Sequence, residues 1–321
     1  MLLSLLVTLS SSILLFGSGF FNLFTPIPFS SLLVRRGWIP ALLASFFALV
    51  ILSGVYVLSR GNWPFLPAMV LYPYLGLSQV ASLALLSFVY YAWIGFALVE
   101  VGRKKMSWGK GVGKIVLSTA LVSLLGLLVS SHFFDLRERA QGSLGFIIEK
   151  IFELNPKITP EEKAFMTGPF TDTLWHLLPS FWILMTSGVV AMNILIVRRW
   201  VSPALFSGWG DFSVWRLEER VIWGPIGLGL FYLLGQFFPA LDPFSWITLN
   251  LLIVVGTLYF FQGLSIFLFF LKKWLTPFMR MAVLFLMMTF LQPLALFLVL
   301  VGLFDFWFDF RKLKKMGGVA P

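Results

Sequence analysis

The chain has 321 residues, of which 59% are hydrophobic and 12% charged, and it has no cysteine. This composition leaves too little polar surface to cover a soluble globule of that size. The lack of cysteine excludes disulfides, thiolate nucleophiles and cysteine-ligated metal sites. The net charge of +10 does not indicate nucleic-acid binding, because the Lys and Arg residues lie mostly between apolar runs, where they orient spans and meet anionic lipid.

The apolar runs are about 17–25 residues long, which is the length a helix needs to cross about 30 Å of hydrocarbon. The runs lack the alternation of period two that a membrane barrel requires. We therefore predict an all-α polytopic transmembrane helix bundle with about eight or nine membrane segments.

The N-terminal part begins with an apolar run at residues 2–23, interpreted as a retained first span because no basic residue precedes it. Two prolines, Pro26 and Pro28, end this run. Residues 26–35 are too few to cross an ordinary bilayer, so they form either a short broken helix or a surface turn. Spans are predicted at 38–58 and 77–99, and the cations at 103–114 mark a cytoplasmic loop.

The next span, at residues 115–129, leads into the hydrophilic stretch 132–172, predicted to lie on the outer face. Residues 136–154 have an amphipathic pattern, and Thr159-Pro160-Glu161-Glu162 has the residues of a capping box with proline at the first helical position. We expect two short helices that roof the bundle, with a lid or gate as the alternative.

The C-terminal part starts with a span at residues 174–197 that runs inward to Arg198-Arg199. An interfacial stretch follows, with belt-like tryptophans at positions 200, 209, 215 and 223. Apolar segments are predicted at 222–238, 246–271 and 281–303. A single final span cannot leave both the 272–280 and the 311–315 cations in the cytoplasm. We favour a cytoplasmic position for the 272–280 cations. The alternative is that a break at Gln292-Pro293 makes the last segment re-entrant.

Several short motifs occur in a characteristic order. They are Thr25-Pro26-Ile27-Pro28 followed by Arg35-Arg36-Gly37; Asn193 before Arg198-Arg199; Trp215-Arg216-Leu217; Gln262-Gly263-Leu264; and Gly302-Leu303 leading into Asp305, Trp307, Asp309, Arg311 and Lys312. In this order the chain resembles the YybS-like family of uncharacterised bacterial membrane proteins. That family is similar in outline to the substrate-capture subunits of energy-coupling-factor transporters and, more distantly, to the rod-shape protein MreD.

The resemblance implies a six-helix unit at about residues 1–200, with both ends cytoplasmic and a ligand pocket that opens outward. The short second helix of that plan corresponds to residues 26–34. The remaining chain is divided into an interfacial segment at 201–223, a three-helix extension at 224–310 and a basic tail at 311–321. The expected location is the bacterial cytoplasmic membrane, crossed several times.

Polar residues within apolar runs are the main candidates for a binding site, because an unsatisfied amide in hydrocarbon is costly and needs a partner. Interhelical hydrogen bonding is the alternative role. The predicted ligand-binding residues are Asn193, Asn250, Gln262 and Gln292.

A second candidate is a metal site formed by two histidine and carboxylate pairs at the ends of the hydrophilic stretch: His132 with Asp135, and Asp172 with His176. Solvated interfacial histidines are the alternative. Glu100 is expected to pair with Arg103 or Lys104.

The closing stretch places Asp305 and Asp309 one helical turn apart, followed by Arg311 and Lys312. It is interpreted as an interfacial anchor whose cations neutralise the acids. No catalytic motif is recognised, so the sequence does not favour an enzyme, and no cofactor is predicted.

The leading functional hypothesis is a membrane protein that binds or transports a small molecule or lipid from the outer face, with transporter substrate capture as one form of that role. The alternative is a structural or scaffold protein of the cell envelope, similar to MreD, that acts through a membrane protein partner. Membrane lipids are expected partners in both cases.

Overall fold

A computed structural model describes residues 2–19, 21–58, 77–133, 145, 148–149, 152–153, 159–238, 241 and 244–312. The described residues are overwhelmingly helical and contain no strand. Five of their helical segments are long and apolar enough to cross a membrane: Trp38–Val55, Leu85–Arg103, Trp108–Gly126, Pro160–Val201 and Ser245–Trp274. The predicted fold class, an all-α polytopic membrane bundle, is confirmed.

The chain forms two compact units. Unit 1 comprises Met1–Lys105, Gly111–His176 and Met185–Phe206, and unit 2 comprises Met106–Lys110, Leu177–Leu184 and Ser207–Pro321. The α-helices that the structure describes before residue 197 are α1 (Leu2–Gly17), α2 (Pro26–Arg36), α3 (Trp38–Leu58), α4 (Leu77–Arg103), α5 (Trp108–Phe133), α6 (Pro160–Phe165) and α7 (Thr171–Ile196).

Residues 26–36 form a buried helix, α2, so the alternative of a surface turn is wrong. Pro26 occupies the first helical position, where its missing N–H costs no hydrogen bond. Phe29 and Leu33 are completely buried. Gly37, at a φ of 88°, ends the helix in a conformation that favours glycine.

The predicted helix start at Thr159 is confirmed. The Thr159 hydroxyl accepts a hydrogen bond from the Glu162 backbone N–H at 3.2 Å, and the Glu162 carboxylate accepts one from the Thr159 N–H at 2.8 Å. This reciprocal pair is a capping box. The amphipathic stretch 136–154 lies mostly outside the described residues.

Unit 2 contains α8 (Trp223–Phe237), α9 (Ser245–Trp274), α10 (Pro277–Thr289) and α11 (Leu291–Phe308). The apolar segment predicted at 281–303 is therefore two helices, as the alternative with a break expected. The break falls at Phe290 rather than at Gln292-Pro293. Pro293 lacks an N–H, and its ring crowds the carbonyl of Thr289 four residues earlier, which interrupts the helix one turn before the proline.

Candidate functional site

The short helix α2 packs closely along the last part of α4. The Ser30 hydroxyl is within 3.0 Å of the carbonyl oxygens of Gly95 and Pro26, to which it donates. A Cβ added to Gly95 would lie 2.7 Å from the Pro26 carbonyl oxygen. Only a glycine therefore allows α2 to begin this close to α4.

The other end of α2 meets an arginine from α4. The Arg103 guanidinium donates a hydrogen bond from Nη2 to the Leu33 carbonyl at 3.2 Å. Helix α2 also packs against Val197–Val201, the turn that follows α7. Because Gly95 lies beside Pro26 and Arg103 beside Leu33, α2 and α4 run in the same direction. We call the end of unit 1 that carries Arg35, Arg36 and Arg103 the basic end.

Asn193 connects α7 to the chain just before α2. Its Nδ2 donates hydrogen bonds to the carbonyls of Leu23 and Val189, each at 2.8 Å. Carbonyls only accept, so these bonds fix which side of the amide carries the nitrogen. Asn193 is completely buried, and its Oδ1 has no hydrogen-bond partner among the described residues.

Thr25, the residue that precedes α2, is also completely buried. Its side chain does not cap α2, and its hydroxyl has no hydrogen-bond partner in the described part of the chain. Buried polar atoms normally find partners, so the Thr25 hydroxyl and Asn193 Oδ1 are the candidate hydrogen-bonding atoms of a binding site in unit 1.

Aromatic side chains lie farther from the basic end than α2 does. The ring of Phe16 is 5.3 Å from that of Phe88 and 6.3 Å from that of Tyr91, measured between centroids. The Tyr90 hydroxyl is 3.1 Å from the Thr186 hydroxyl, its hydrogen-bond partner. Helix α4 runs towards the basic end. Its residues Phe88, Tyr90 and Tyr91 precede Gly95, so they lie about 6–10 Å from Gly95 along the helix axis, on the side away from the basic end.

Unit 2 contains a different kind of buried polar centre, an ion pair between Asp305 and Arg311. Arg311 Nη2 is 3.0 Å from Asp305 Oδ2, and neither side chain is exposed at all. Asp305 also accepts hydrogen bonds from Gln262 Nε2 at 3.1 Å and from the Phe310 N–H at 3.0 Å. The predicted neutralisation of Asp305 by a following cation is confirmed, but its burial shows that the pair is not a solvated interfacial anchor.

The same arginine holds the segment 211–217 against α9. This segment lies between α7 and α8 in the sequence. Arg311 Nη1 donates to the carbonyls of Ser213 and Trp215 at 3.0 and 2.9 Å and to the Ser265 hydroxyl at 2.7 Å. Gln262 Oε1 accepts from the Leu217 N–H at 3.0 Å. Only Nε of the Arg311 guanidinium has no partner among the described residues. We call Asp305, Arg311, Gln262 and Ser265 the Arg311 network.

Sequence reasoning missed the Arg311 network because Arg311 does not continue the helix. Asp309 has a φ of 41°, in the left-handed region, and ends α11. This turn brings Arg311 back under Asp305. Left-handed aspartate is uncommon and has no reliable sequence signal.

Two glycines allow α9 and α11 to cross at close range. A Cβ added to Gly263 would collide with the Leu298 carbonyl, and one added to Gly302 would collide with the Tyr259 carbonyl. Small residues at a helix crossing bring two backbones together in membrane proteins. The Arg311 network lies beside this crossing.

Lys272 and Arg311 reach the same residue of unit 2. Lys272 Nζ is 3.3 Å from the Ser213 hydroxyl and pairs with the Asp211 carboxylate at 2.5 Å, whereas Arg311 binds the Ser213 carbonyl. The two basic clusters that flank α10 and α11 therefore approach one end of unit 2. This geometry favours the re-entrant alternative for the final segment.

A family model described as "Predicted membrane protein (DUF2232)" matches residues 55–306, well over half of the chain. The chain belongs to this family. No curated protein and no solved structure matches it. The likeness to the YybS-like family, to energy-coupling-factor capture subunits and to MreD is not shown by these comparisons.

The DUF2232 match includes Asn193, Gln262 and Asp305 but neither Thr25 nor Arg311. The family is described only as a membrane protein, so its description assigns no ligand and no reaction.

Two predicted ligand-binding residues of this DUF2232 protein, Asn250 and Gln292, belong to unit 2, whereas Asn193 belongs to unit 1. Asn250 belongs to unit 2, where its Oδ1 accepts from the Ser180 N–H at 3.0 Å and its Nδ2 donates to the Trp246 carbonyl at 2.8 Å. The side chain of Gln292 lies outside the described residues. Asn250 therefore serves helix packing in this structure.

The predicted metal site cannot be built from the described residues. Asp135 and the side chain of His132 lie outside them, while Asp172 and His176 lie one turn apart on α7. Among the described residues, no group of three or more histidine and carboxylate side chains is placed to hold a metal ion.

Two predictions about surface residues have opposite outcomes. Glu100 pairs with Lys104 at 2.8 Å, as expected. Trp209, predicted as a belt residue, is 3% exposed and packs edge-on against Trp108 at 5.1 Å between ring centroids. Trp200, by contrast, is 76% exposed.

Proposed function

We propose that this protein binds an uncharged, largely apolar small molecule or lipid that enters unit 1 from the outer face of a bacterial cytoplasmic membrane. The single observation that carries this proposal is the pair of completely buried polar atoms, the Thr25 hydroxyl and Asn193 Oδ1, that lack partners among the described residues at the start of the short helix α2.

The depth of α2 supports entry from the outer face. Gly95, beside the start of α2, lies eight residues before Arg103, which corresponds to about 12 Å along a helix. The hydrocarbon core of a bilayer is about 30 Å thick. If the basic end is cytoplasmic, as the positive-inside rule expects, α2 occupies only the cytoplasmic half of the membrane. Irregular backbone at such a depth is tolerated where it lines a cavity.

The chemistry of the surrounding side chains defines the ligand class. Asn193 Oδ1 can only accept, so the ligand must present an O–H or N–H donor. Phe88 packs against Phe29 of α2, and Phe16 contacts both Phe88 and Tyr91, so the uncharged rings beside α2 favour an apolar body. A molecule with an apolar body and a hydroxyl or amide end fits these requirements.

Native mass spectrometry of the protein in mild detergent tests the proposal. The wild type is expected to retain a stoichiometric ligand, and Thr25→Val should lose it, because the substitution removes a hydroxyl that has no other role in the described structure. Thr119→Val is the matched control, since Thr119 is equally buried but bonds the Ile115 carbonyl of its own helix at 2.7 Å.

Two results would overturn the proposal. If Thr25→Val and Thr119→Val retained the same ligand equally, the ligand would bind elsewhere. If repeated preparations contained no ligand but a recurring protein partner, the scaffold hypothesis would replace ligand binding.

A further inference from the structure

We infer that the ligand of the proposed site in unit 1 is a lipid alcohol, a long hydrocarbon whose single hydroxyl bonds both Thr25 and Asn193. This inference rests on the proposed function, because it names the chemical class of the ligand of that same site. The class follows from the positions of the two buried oxygens, the hydrogen bonds that they need and the charge around them.

Asn193 is held within about one helical turn of Thr25. Its Nδ2 is 2.8 Å from the Leu23 carbonyl oxygen. The chain from Leu23 to Thr25 is helical, since Asn22–Phe24 forms a 3₁₀ turn and the Thr25 N–H donates to the Asn22 carbonyl at 3.0 Å. Two residues of such a turn rise about 4 Å. Hydrogen bonds on either side of one oxygen atom span about 5.5 Å, so a single hydroxyl between the two side chains can reach both.

The Thr25 and Asn193 oxygens do not bond each other, because each lacks a partner among the described residues. Asn193 Oδ1 only accepts, whereas the Thr25 hydroxyl both donates and accepts. A ligand hydroxyl matches this pair, since its O–H donates to Asn193 and its lone pair accepts from Thr25. Ethers, esters and ketones have no donor and leave Asn193 Oδ1 unsatisfied. A primary amide has one more N–H than the two oxygens can pair.

The charge of the surroundings excludes ionic headgroups. None of the buried residues that the structure describes in unit 1 is charged. Burial of a carboxylate, phosphate or ammonium group without an opposite charge costs far more than burial of a neutral group. In unit 2, by contrast, the buried carboxylate of Asp305 is paired with Arg311. The polar end of the ligand is therefore neutral, as an alcohol is at neutral pH.

Aromatic rings adjoin the side of the helix on which Thr25 lies. Thr25 has helical backbone angles, and Phe29 follows four residues later, so their side chains share a face. The Phe29 ring is 5.6 Å from that of Phe88, which is 5.3 Å from that of Phe16, measured between centroids. A hydrocarbon chain beside these rings is removed from water without leaving a polar group unpaired. The rest of the ligand is therefore hydrocarbon.

The experiment measures the binding of three amphiphiles with the same hydrocarbon chain to the purified full-length protein. The probes are hexadecanol, its methyl ether and N-methylhexadecanamide, and adducts are counted by native mass spectrometry. Hexadecanol should bind about tenfold more tightly than the ether, because the ether leaves Asn193 Oδ1 buried without a donor. Thr25→Val should remove most of this preference, whereas Thr25→Ser, which keeps the hydroxyl, should retain it. Thr119→Val is the control, and melting temperatures without probe check that each variant folds.

Different failures separate this inference from the proposed function. If the ether or the amide bound as tightly as hexadecanol, and Thr25→Val still weakened all three probes, the ligand class would be wrong and the proposed site would stand. A preference for hexadecanol of equal size in Thr25→Val would place the hydroxyl elsewhere and overturn the inference. If Thr25→Val and Thr119→Val both bound all three probes as the wild type does, a water molecule would suffice for the two oxygens, and the proposed site itself would be wrong.

Discussion

Two buried polar sites, one in each unit, differ in charge and in how completely their groups are bonded. At the start of α2, unit 1 buries neutral groups, and Thr25 and Asn193 each keep an atom without a partner among the described residues. In unit 2, Asp305 and Arg311 bury opposite charges that bond each other and their neighbours. The first arrangement leaves capacity for another molecule, whereas the second uses nearly all of its capacity to hold the protein together.

The cations show the same contrast. Those at the basic end of unit 1, Arg35, Arg36 and Arg103, are exposed. In unit 2, Arg311 turns inward and becomes part of the core. Substitutions in unit 1 should therefore change binding more than folding, and substitutions in the Arg311 network should change folding.

The largest expected effect concerns the side of the membrane on which the C-terminal cations lie. Because Lys272 and Arg311 both contact Ser213, reporter fusions after Lys273 and after Lys315 should give signals from the same side of the membrane. Signals from opposite sides would show that α10 and α11 cross the membrane as one span. In that case the contacts at Ser213 would not reflect the arrangement in the bilayer.

Removal of one partner of the buried ion pair should have the largest effect on stability. Arg311→Leu leaves the Asp305 carboxylate buried without its cation, and the expected loss is about 3–5 kcal/mol. The measurement is unfolding of the detergent-solubilised protein by SDS. Lys312→Leu is the control, because Lys312 is exposed and one residue away.

The double variant Asp305→Leu with Arg311→Leu separates the ion pair from the other bonds of Arg311. Replacing both charges should be less destabilising than the sum of the two single changes, with a coupling of about 1–3 kcal/mol. Strict additivity would indicate that the two charges do not stabilise each other. The contrast between the two units would then lose its physical basis.

A smaller effect is expected at the helix crossing. Gly263→Ala places a methyl group against the Leu298 carbonyl, and the overpacked site should lose about 1–3 kcal/mol. Gly256→Ala on the same helix is the matched control, since a Cβ there meets nothing within 4 Å. If both variants unfolded at the same SDS concentration as the wild type, α9 and α11 would not approach as closely as the glycines indicate.

The features that sequence predicted well are those set by local chemistry. The span at 38–58, the capping box at Thr159 and the interruption caused by Pro293 depend on hydrophobicity, hydrogen-bonding side chains or a missing N–H, all of which can be read directly from the residues. Long apolar runs can form only helices in lipid, so the fold class was also predictable.

The candidate site was less predictable because it depends on contacts between distant residues. Asn193 was singled out as a polar residue in an apolar run, but its bond to the Leu23 carbonyl joins positions 170 residues apart. Thr25 was noticed only as part of a helix-ending motif. Arg311 was expected to neutralise Asp305 as part of an interfacial anchor, and its burial was missed because it depends on the left-handed turn at Asp309.

The smallest predicted effect concerns the exposed pair between Lys272 and Asp211. Burial raises the pKa of Asp211, but hydrogen bonds from Lys272 and Ser213 outweigh it, so the pKa lies below its ordinary value of 3.8. A carboxylate with a lowered folded-state pKa stabilises the protein above the unfolded pKa, and this contribution is lost as the pH falls through the folded pKa. Because the two side chains are 44% and 53% exposed, the contribution should be below about 1 kcal/mol.

Asp211→Asn should therefore lower the stability slightly at pH 6, and the effect should disappear as the pH falls below the folded-state pKa of Asp211, where the carboxyl is protonated in both states. Asp172→Asn provides a comparison at another exposed aspartate. High salt should reduce the difference at pH 6, since exposed pairs are screened. A loss above about 2 kcal/mol at pH 6 would show that this pair, like Asp305 and Arg311, belongs to the bonded core of unit 2, because screened surface pairs do not contribute that much.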